Sequence, residues 1–238
     1  MKICILTGAG ISAESGIKTF RDTDGRWNEY DVTDVATPEG FYKNPKLVLD
    51  FYNHRRKEVA DARPNKAHYS LAALQHNSNF DVTLITQNVD DLHEKAGSKN
   101  VLHMHGSLHE TICRKCGDIT TANEVMQTRD ICDDCYHPAL RPNIVWFGEF
   151  PYHMEVIDDA LRTCDIFVSI GTSGTVYPAA GFVKTAKKKA RAHTIEINLH
   201  PSENKFMFTE SMDGVATEMV PTFVEKLLSG EYDYLKSC

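Results

Sequence analysis

A short apolar run that breaks into a glycine turn opens the chain. Residues 2–7, with the sequence KICILT, are aliphatic and β-branched and predict a buried strand. Gly8, Ala9 and Gly10 follow at once, and Ala13 completes the spacing Gly-x-Gly-x-x-Ala of a dinucleotide-binding turn. Glycine allows a tight turn and lets backbone N–H groups approach a pyrophosphate. The start of the chain therefore predicts a Rossmann-like domain, although short glycine patterns also recur by chance.

An ordinary NAD-dependent dehydrogenase fits this turn less well. Such an enzyme places an acidic residue about 20 positions further on, at the end of a second strand, where it holds the adenosine ribose. The acidic candidates lie in a polar stretch with no apolar run before them and are Asp22, Asp24, Glu29 and Asp31. Phe20 and Arg21 instead follow the glycines closely. An aromatic and a cationic side chain so close to the glycine turn indicate that this segment does more than bind a cofactor.

Composition narrows the class of protein further. The chain has 238 residues, 42% of them hydrophobic, and a net charge of −7, which argues against broad nucleic-acid binding. No apolar run approaches the roughly 20 residues of a membrane helix, and the first strand begins almost at residue 1, so we expect no secretory leader. Seven cysteines suit a reducing compartment better than a disulfide framework. We expect a cytoplasmic protein without nucleic-acid or membrane partners.

Alternating strand and helix patterns predict an α/β protein with a doubly wound parallel sheet. The predicted strands cover residues 2–7, 82–86, 100–104, 165–170, 193–197 and 214–220. The predicted helices cover residues 47–62, a segment capped by Asn65, 154–163, a segment that starts at Pro178, and 221–228. Polar or small residues follow several strands, where open α/β sheets bind ligands; they are Gln87, Asn88, Val89, Asp90, His105, Gly171, Thr172, Ser173 and Asn198.

Two Cys-x-x-Cys pairs predict a structural zinc site. Cys113 and Cys116 are separated from Cys132 and Cys135 by fifteen residues, which is a four-cysteine zinc spacing. Each pair presents two thiolates from one turn, and the two turns complete a tetrahedron. Four protein ligands leave no open coordination position, so we expect one Zn²⁺ with a structural role. The alternative is four unliganded thiols.

Taken together, these motifs resemble those of the sirtuins, and most closely those of the bacterial CobB type. The segments that carry the resemblance run in the family's order over nearly the whole chain and are residues 8–17, 19–21, 86–90, 105–106, the two cysteine pairs, 145–149, 171–173 and Asn198. Lys18 departs from the pattern, since many sirtuins have proline there. The resemblance implies a Rossmann-like NAD-binding domain (1–35, 81–108 and 141–238) and a smaller inserted domain, made of a helical module (36–80) and a zinc module (109–140).

The resemblance also implies an activity. Sirtuins are protein-lysine deacylases that consume NAD as co-substrate and give nicotinamide, O-acyl-ADP-ribose and free lysine. The reaction needs a base that deprotonates a ribose hydroxyl, and an imidazole with a pKa near neutrality suits that role. His105 lies at the position of the family's catalytic histidine. His93 and His103 have no such motif, so we interpret them as structural.

Roles in NAD binding follow from the same resemblance. Asn88 and Asp90 would orient the ribose and the nicotinamide amide, Phe20 would shield the reactive ribose carbon, and backbone groups of residues 8–10 would contact the pyrophosphate. Thr172, Ser173 and Asn198 would hold the adenosine ribose, with Ala216 near the adenine. The complete predicted set is Gly8, Ala9, Gly10, Ser12, Ala13, Phe20, Arg21, Trp27, Gln87, Asn88, Val89, Asp90, His105, Gly171, Thr172, Ser173, Asn198, Leu199 and Ala216.

Two segments are predicted to bind an acylated protein. Val145, Trp146, Phe147, Gly148 and Glu149 would add the substrate peptide as a strand through main-chain bonds. Tyr52 and Arg55, three apart on one helix face, resemble the motif of sirtuins that remove succinyl and malonyl groups, with the small Ala36 leaving room for a longer acyl chain. An arginine fork binds a carboxylate bidentately. The resemblance to bacterial members that also remove acetyl groups implies both activities. A neutral acetyl group would leave Arg55 unpaired but still hydrated, which is tolerable.

Other interpretations stay open at this point. Tyr52 and Arg55 could belong to an ordinary helix face of a plain deacetylase. Transfer of ADP-ribose to protein shares the release of nicotinamide with deacylation. A non-enzymatic module could use the zinc turns and the basic segment 184–191 to bind nucleic acid, but acidic residues among the cysteines disfavour contact with phosphate.

Overall fold

Six parallel strands form the main sheet of the protein, whose computed structural model describes residues 1–18, 26–27, 30–122 and 125–237. The strands of the chain are β1 (Lys2–Thr7), β2 (Arg26–Trp27), β3 (Tyr30–Asp31), β4 (Asp81–Thr86), β5 (Leu102–His103), β6 (Gly106–Cys113), β7 (Ile119–Thr121), β8 (Leu140–Ile144), β9 (Ile166–Ile170), β10 (His193–Asn198) and β11 (Glu210–Asp213). The sheet order is β11-β10-β9-β1-β4-β5. The chain therefore leaves the central β1 to one side and returns to the other, which confirms the predicted doubly wound class and places a ligand crevice at the carboxyl ends of β1 and β9.

Eight α-helices lie in the described ranges. They are α1 (Val32–Val35), α2 (Pro38–Lys43), α3 (Pro45–Asp61), α4 (Lys66–Gln75), α5 (Leu92–Lys95), α6 (Met154–Thr163), α7 (Phe182–Thr185) and α8 (Ala216–Leu228). The longest, α3, begins after Asn44, whose side chain accepts a hydrogen bond from the Leu47 N–H. Within the described part of the chain, no helix is long and apolar enough to cross a membrane.

Helices cover both faces of the main sheet because alternate side chains of β1 point to opposite sides. Ile3 and Ile5 pack in one buried cluster with side chains from α4 and α8. Cys4 and Leu6 pack in another with side chains from α6 and α7. Helix α4 lies inside the segment predicted as a helical module of the small domain, yet its apolar face packs on the main sheet.

The remaining apolar cluster joins the α1–α3 region to the zinc module. It includes Phe41, Tyr52 and Trp146, which lie on α2, on α3 and after β8. Strands β7, β6 and β8 form a separate antiparallel sheet. Gly106 begins β6 with φ +81°, and a Cβ there would lie 2.0 Å from the Asn143 carbonyl oxygen. Only glycine allows β6 and β8 to approach this closely next to His105.

The end of the chain differs from the prediction. The predicted strand at 214–220 is instead the start of α8, and the last strand, β11, comes earlier. The Glu14 carboxylate accepts hydrogen bonds from the Thr217 N–H at 3.0 Å and the Thr217 hydroxyl at 2.6 Å. This long-range contact satisfies groups at the start of the helix. Pro221 lies inside α8 rather than at its start. The predicted strand at 100–104 is also shorter, since β5 has two residues.

Candidate active site and zinc module

The glycine turn after β1 packs directly on the loop after β9. A Cβ on Gly10 would lie 2.6 Å from the Gly171 Cα, and one on Gly8 would lie 2.8 Å from the Gly171 oxygen. The N–H groups of Gly8 and Gly10 donate to the carbonyl oxygens of Ile170 and Gly171, both at 2.9 Å. The glycines are therefore required by close packing between two loops of the protein, and two of the three N–H groups predicted to contact a pyrophosphate already have partners.

A buried polar network lies beneath this turn. The Ser12 hydroxyl donates to the Asp90 carboxylate at 3.2 Å and accepts from the Asn88 amide at 3.1 Å. All three side chains are buried. Asp90 also accepts from the Leu92 N–H, but burial outweighs these bonds and raises the pKa of the Asp90 carboxyl. The structure thus brings together Ser12, Asn88 and Asp90, which the sequence places at the ends of two different strands.

His68 extends the network from α4. Its Nδ1 lies 3.3 Å from the Asn65 N–H and accepts from it, so Nε2 carries the hydrogen. Nε2 lies 3.5 Å from the Ser12 oxygen. Burial lowers the pKa of His68 to about 4, so the imidazole is neutral near pH 7. His68 therefore helps to fix the direction in which the Ser12 hydroxyl donates.

His105 follows β5, and Gln87 follows the neighbouring strand β4. Nδ1 of the half-buried His105 lies 3.2 Å from the Gln87 carbonyl oxygen. A carbonyl can only accept, so Nδ1 carries the hydrogen and Nε2 holds the lone pair. Burial lowers the pKa of His105, and the bond to Gln87 raises it in part. The ring is thus held neutral near pH 7, with Nε2 able to take a proton.

His103 has a different environment two residues earlier. Its Nε2 lies 2.8 Å from the Glu94 carboxylate and its Nδ1 lies 3.2 Å from the Asn88 carbonyl oxygen. Burial acts to lower its pKa, but the contact with Glu94 reverses the sign and the pKa is raised. His93 is fully buried, with Nε2 at 3.0 Å from the Thr7 hydroxyl. These three contacts tie the two rings to neighbouring elements of the protein.

The loop after β9 is held by the end of β10. The Asn198 amide donates to the Thr172 carbonyl oxygen at 2.7 Å. The Thr172 hydroxyl lies 2.8 Å from the Ser169 hydroxyl. The Ser173 hydroxyl lies 2.8 Å from that of Thr175. These contacts bring the predicted adenosine-binding residues Thr172, Ser173 and Asn198 to adjacent strand ends. Ala216 begins α8, and the Leu199 side chain is exposed.

The segment after β8 folds into a turn fixed by Glu149. Its carboxylate accepts from the Trp146 N–H at 2.9 Å and pairs with Arg141 at 2.8 Å. The Arg141 guanidinium also lies 4.2 Å from the centre of the Trp146 ring. The N–H groups of Val145 and Phe147 donate to the carbonyl oxygens of His105 and Ala36. Glu149 thus stabilises the turn after β8.

Tyr52, Trp146 and Ala36 lie in one buried cluster. The Tyr52 oxygen accepts a hydrogen bond from the Trp146 Nε1 at 2.9 Å, and burial raises the pKa of the phenol. Arg55 lies near enough to act electrostatically on Tyr52. The expectation that Arg55 would be hydrated is wrong, since the residue is 4% exposed and its Nη1 lies 2.8 Å from the Glu58 carboxylate.

The four predicted cysteine ligands converge. The Cys113 and Cys135 sulfurs lie 3.5 Å apart, those of Cys116 and Cys132 lie 3.6 Å apart, and all four lie within 4.8 Å of one another. Sulfurs bound to one tetrahedral Zn²⁺ at about 2.3 Å would be about 3.8 Å apart. The four cysteines are therefore positioned to bind a structural zinc ion.

Comparisons with known proteins agree with this geometry. The Sir2 family profile matches residues 8–178. The chain belongs to the Sir2 family. An NAD-dependent protein deacylase of Caulobacter vibrioides is 53% identical over 233 residues, which cover 96% of this chain and 98% of that relative. The predicted resemblance to the sirtuins is thus confirmed.

Solved sirtuin structures share the fold. A Sir2 homologue in complex with NAD is 38% identical, with a TM-score of 0.87 over 96% of this chain and 90% of that one. Another Sir2 structure, bound to an acetylated peptide, is 28% identical, with a TM-score of 0.80 over 94% of this chain and 92% of that one. The match covers the main sheet and the zinc module of this sirtuin alike.

Several predicted residues lie outside these contacts. Phe20 and Arg21 lie outside the described residues, as does the Trp27 side chain. Ala13 starts a short 3₁₀ helix that leads away from the glycine turn. The Val89 carbonyl oxygen accepts from the Leu108 N–H. Gly148 has φ +92° in the turn that Glu149 fixes.

Sequence reasoning missed three residues that support the site of this sirtuin. Thr7 links β1 to β4 through the Thr86 hydroxyl at 2.9 Å, His68 contacts Ser12, and Arg141 holds Glu149. The signal for His68 was its position three residues after the helix cap Asn65, where a side chain reaches back to the cap. Thr7 acts through a contact 79 positions away, for which a single sequence has no local signal. Arg141 contacts Glu149 only eight positions on, but that contact depends on the turn after β8.

Proposed function

We propose that this sirtuin removes acetyl, succinyl and malonyl groups from lysine side chains of proteins, giving nicotinamide, O-acyl-ADP-ribose and free lysine. The coarser statement, that it is an NAD-dependent protein deacylase, follows from its family and from relatives that share about half of its sequence. The single observation that carries the chemistry is the hydrogen bond between His105 and Gln87. It fixes the tautomer that leaves Nε2 able to accept a proton at the ligand-binding edge of the sheet.

His105 acts as the general base in this proposal. NAD, when bound, would supply the ribose to which the acyl group is transferred as nicotinamide leaves, and one water molecule would be consumed in releasing the free lysine. Nε2 of His105 accepts a proton from a ribose hydroxyl. The positive charge that develops on the ring is stabilised by the hydrogen bond from Nδ1–H to the Gln87 carbonyl oxygen. Because burial lowers the pKa of His105, the ring is ready to accept a proton near pH 7.

The neighbouring groups bind and orient NAD. We assign the pyrophosphate contact to the Ala9 N–H, since the N–H groups on either side of it donate within the protein. Asn88 and Asp90 are held rigid by Ser12, which suits them to orient the reacting end of the cofactor. Thr172, Ser173 and Asn198 contact the adenosine ribose at the next strand end.

The segment 145–149 binds the substrate peptide. Its N–H groups at Val145, Trp146, Phe147 and Glu149 are all used within the protein. A peptide strand therefore pairs with the carbonyl oxygens of the segment. Main-chain pairing is independent of side-chain identity, which suits an enzyme that acts on many proteins. The Phe147 side chain, 48% exposed, would make an apolar contact with the peptide.

Tyr52 and Arg55 recognise an acidic acyl group. Arg55 is buried beside Tyr52, and Ala36 packs in the same cluster without filling it with a large side chain. The Tyr52 oxygen accepts a hydrogen bond from Trp146, and in this proposal the phenol donates its own hydrogen to the carboxylate of the acyl group. A guanidinium and a phenol together satisfy several lone pairs of a succinyl or malonyl carboxylate.

A plain deacetylase is the second candidate. The observation that favours it is the ion pair between Arg55 and Glu58, which already neutralises the arginine. If that pair is permanent, Arg55 has only a structural role and acidic acyl groups gain nothing from it.

The test compares kcat/KM for matched acetyl-lysine and succinyl-lysine peptides with NAD, in the native enzyme and in Arg55→Met. Lys57→Met is the control, because it removes the same positive charge from an exposed position on the same helix. We expect Arg55→Met to lose mainly succinyl activity and Lys57→Met to retain both activities. Succinyl activity that is absent or indifferent to Arg55 would identify a plain deacetylase. Nicotinamide release that needs no acylated peptide would instead indicate transfer of ADP-ribose.

A further inference from the structure

Arg55 and Glu58 form an ion pair on α3 with unequal exposure. The arginine is 4% exposed, whereas the Glu58 side chain is 31% exposed and also lies 3.4 Å from the exposed His54 ring. The two charges are one helical turn apart, with Nη1 at 2.8 Å from the carboxylate. The buried partner is thus fixed, while the other partner reaches solvent.

A buried guanidinium needs a counter-charge. Removing an ion from water is unfavourable unless an opposite charge is close. A neutral acetyl group brings no charge to the pocket, so the ion pair between Arg55 and Glu58 stays in place while an acetyl-lysine is bound. A succinyl or malonyl carboxylate brings its own charge, and two carboxylates on one guanidinium repel each other.

We infer that Glu58 is an internal counter-ion of Arg55 that an acidic acyl group displaces. This inference rests on the proposed role of Arg55 in acyl recognition. With acetyl-lysine bound, Glu58 stays on Arg55; with succinyl-lysine bound, Glu58 turns towards solvent and His54. The partial exposure of the Glu58 side chain makes this exchange feasible, since the displaced carboxylate regains water. Glu58 therefore sets the ratio of succinyl to acetyl activity and allows one pocket to accept both groups.

The experiment measures kcat and KM for matched succinyl-lysine and acetyl-lysine peptides in Glu58→Gln. We expect KM to fall for the succinyl peptide and to rise for the acetyl peptide, so that the kcat/KM ratio shifts towards succinyl by on the order of tenfold. Asp50→Asn, the same change at an exposed ion pair with Lys46 on α3, should leave the ratio unchanged. The double variant Arg55→Met with Glu58→Gln should show the same ratio as Arg55→Met alone.

Two outcomes separate this inference from the proposed function. If Arg55→Met loses succinyl activity but Glu58→Gln leaves the ratio unchanged or shifts it towards acetyl, the counter-ion role is wrong and the acyl pocket stands. If Arg55→Met keeps full succinyl activity, the pocket and the counter-ion role are both wrong. If Glu58→Gln does not fold, Glu58→Asp takes its place in the test. This variant keeps the charge on a shorter side chain, and we expect a smaller shift of the kcat/KM ratio in the same direction.

Discussion

Nδ1 of His105 lies 3.2 Å from the carbonyl oxygen of Gln87, and this bond joins the ends of two adjacent strands. Burial lowers the pKa of His105 from its usual 6.5, so the imidazole is neutral at neutral pH. It becomes protonated, and can no longer act as a base, only as the pH falls through the lowered pKa. We expect the acidic limb of kcat/KM for an acetyl-lysine peptide to have its midpoint below about 6.5. A midpoint above that value would contradict the assignment of this limb to His105.

Replacing the same ring tests its role as the base. His105→Asn keeps a polar side chain but removes the proton acceptor, and we expect kcat to fall about 100- to 10,000-fold. His76→Asn changes an exposed histidine at the end of α4 and should leave kcat unchanged. Retention of more than about a tenth of the activity in His105→Asn would exclude general-base catalysis by this residue.

Gly10→Ala tests the packing of the glycine turn on the loop after β9. The added Cβ would lie 2.6 Å from the Gly171 Cα, and backbone cannot move aside as a flexible side chain can. We expect unfolding in urea to show a loss of about 1–3 kcal/mol, together with a higher KM for NAD. Gly181→Ala is the matched control, because a Cβ there meets only a Tyr177 ring atom at 3.7 Å. It should be neutral or slightly stabilising; equal losses in both variants would contradict the packing argument.

The sequence predicted elements best where local signals decide them. Helix α6 has the predicted bounds of 154–163, and Asn65 caps α4 as expected. The four cysteines were predictable because each pair is local and only the distance between pairs depends on the fold. The start of α8 was predicted wrongly because Glu14, about 200 positions away, caps it. A single sequence does not reveal such a partner.

The same distinction applies to the candidate site. The pattern of residues 8–10 was visible, but the reason for glycine, contact with Gly171, depends on how β1 and β9 pair. The charged neighbours Arg56 and Lys57 left open a solvated helix face for Arg55, whereas in the structure Arg55 is buried and pairs with Glu58. The sequence identified the chemistry of these groups, and the fold determines which of them are buried.

Asp90→Asn should stabilise the protein while it weakens catalysis. Burial raises the pKa of the Asp90 carboxyl, so the folded state holds this proton more tightly than the unfolded state. The stability contributed by Asp90 is therefore present at low pH and is lost as the pH rises through the raised pKa. We expect a higher Tm for Asp90→Asn than for native protein at about pH 8, with a gain that shrinks towards about pH 4.

The exposed Asp81 at the start of β4 provides the control for this effect. Asp81→Asn makes the same chemical change without loss of a buried charge, so its Tm should follow that of native protein at both pH values. A Tm for Asp90→Asn that is lower than the native value at about pH 8 would show that the bonds to Ser12 and Leu92 outweigh the cost of burial.

Loss of one cysteine ligand should release zinc and destabilise the protein. Cys116 is the exposed member of the cluster, so Cys116→Ser creates little steric change, but serine is a poor zinc ligand. We expect about one Zn²⁺ per native chain by elemental analysis, much less in the variant, and a lower Tm. Cys164→Ala changes a buried cysteine outside the cluster and should retain zinc. Full zinc content in Cys116→Ser would contradict the four-cysteine site.

Tyr52→Phe separates the acyl pocket from the core that supports it. The variant removes the acceptor of the Trp146 Nε1, and an unpaired buried donor costs about 1–3 kcal/mol of unfolding free energy. It also removes the phenol hydrogen proposed to bind an acidic acyl group, so succinyl kcat/KM should fall roughly tenfold more than acetyl kcat/KM. Tyr69→Phe on α4, where the side chain is exposed, should change neither quantity. If Tyr52→Phe lowers stability but affects both peptides equally, the hydroxyl serves only to hold Trp146, and Arg55 alone remains to recognise the carboxylate.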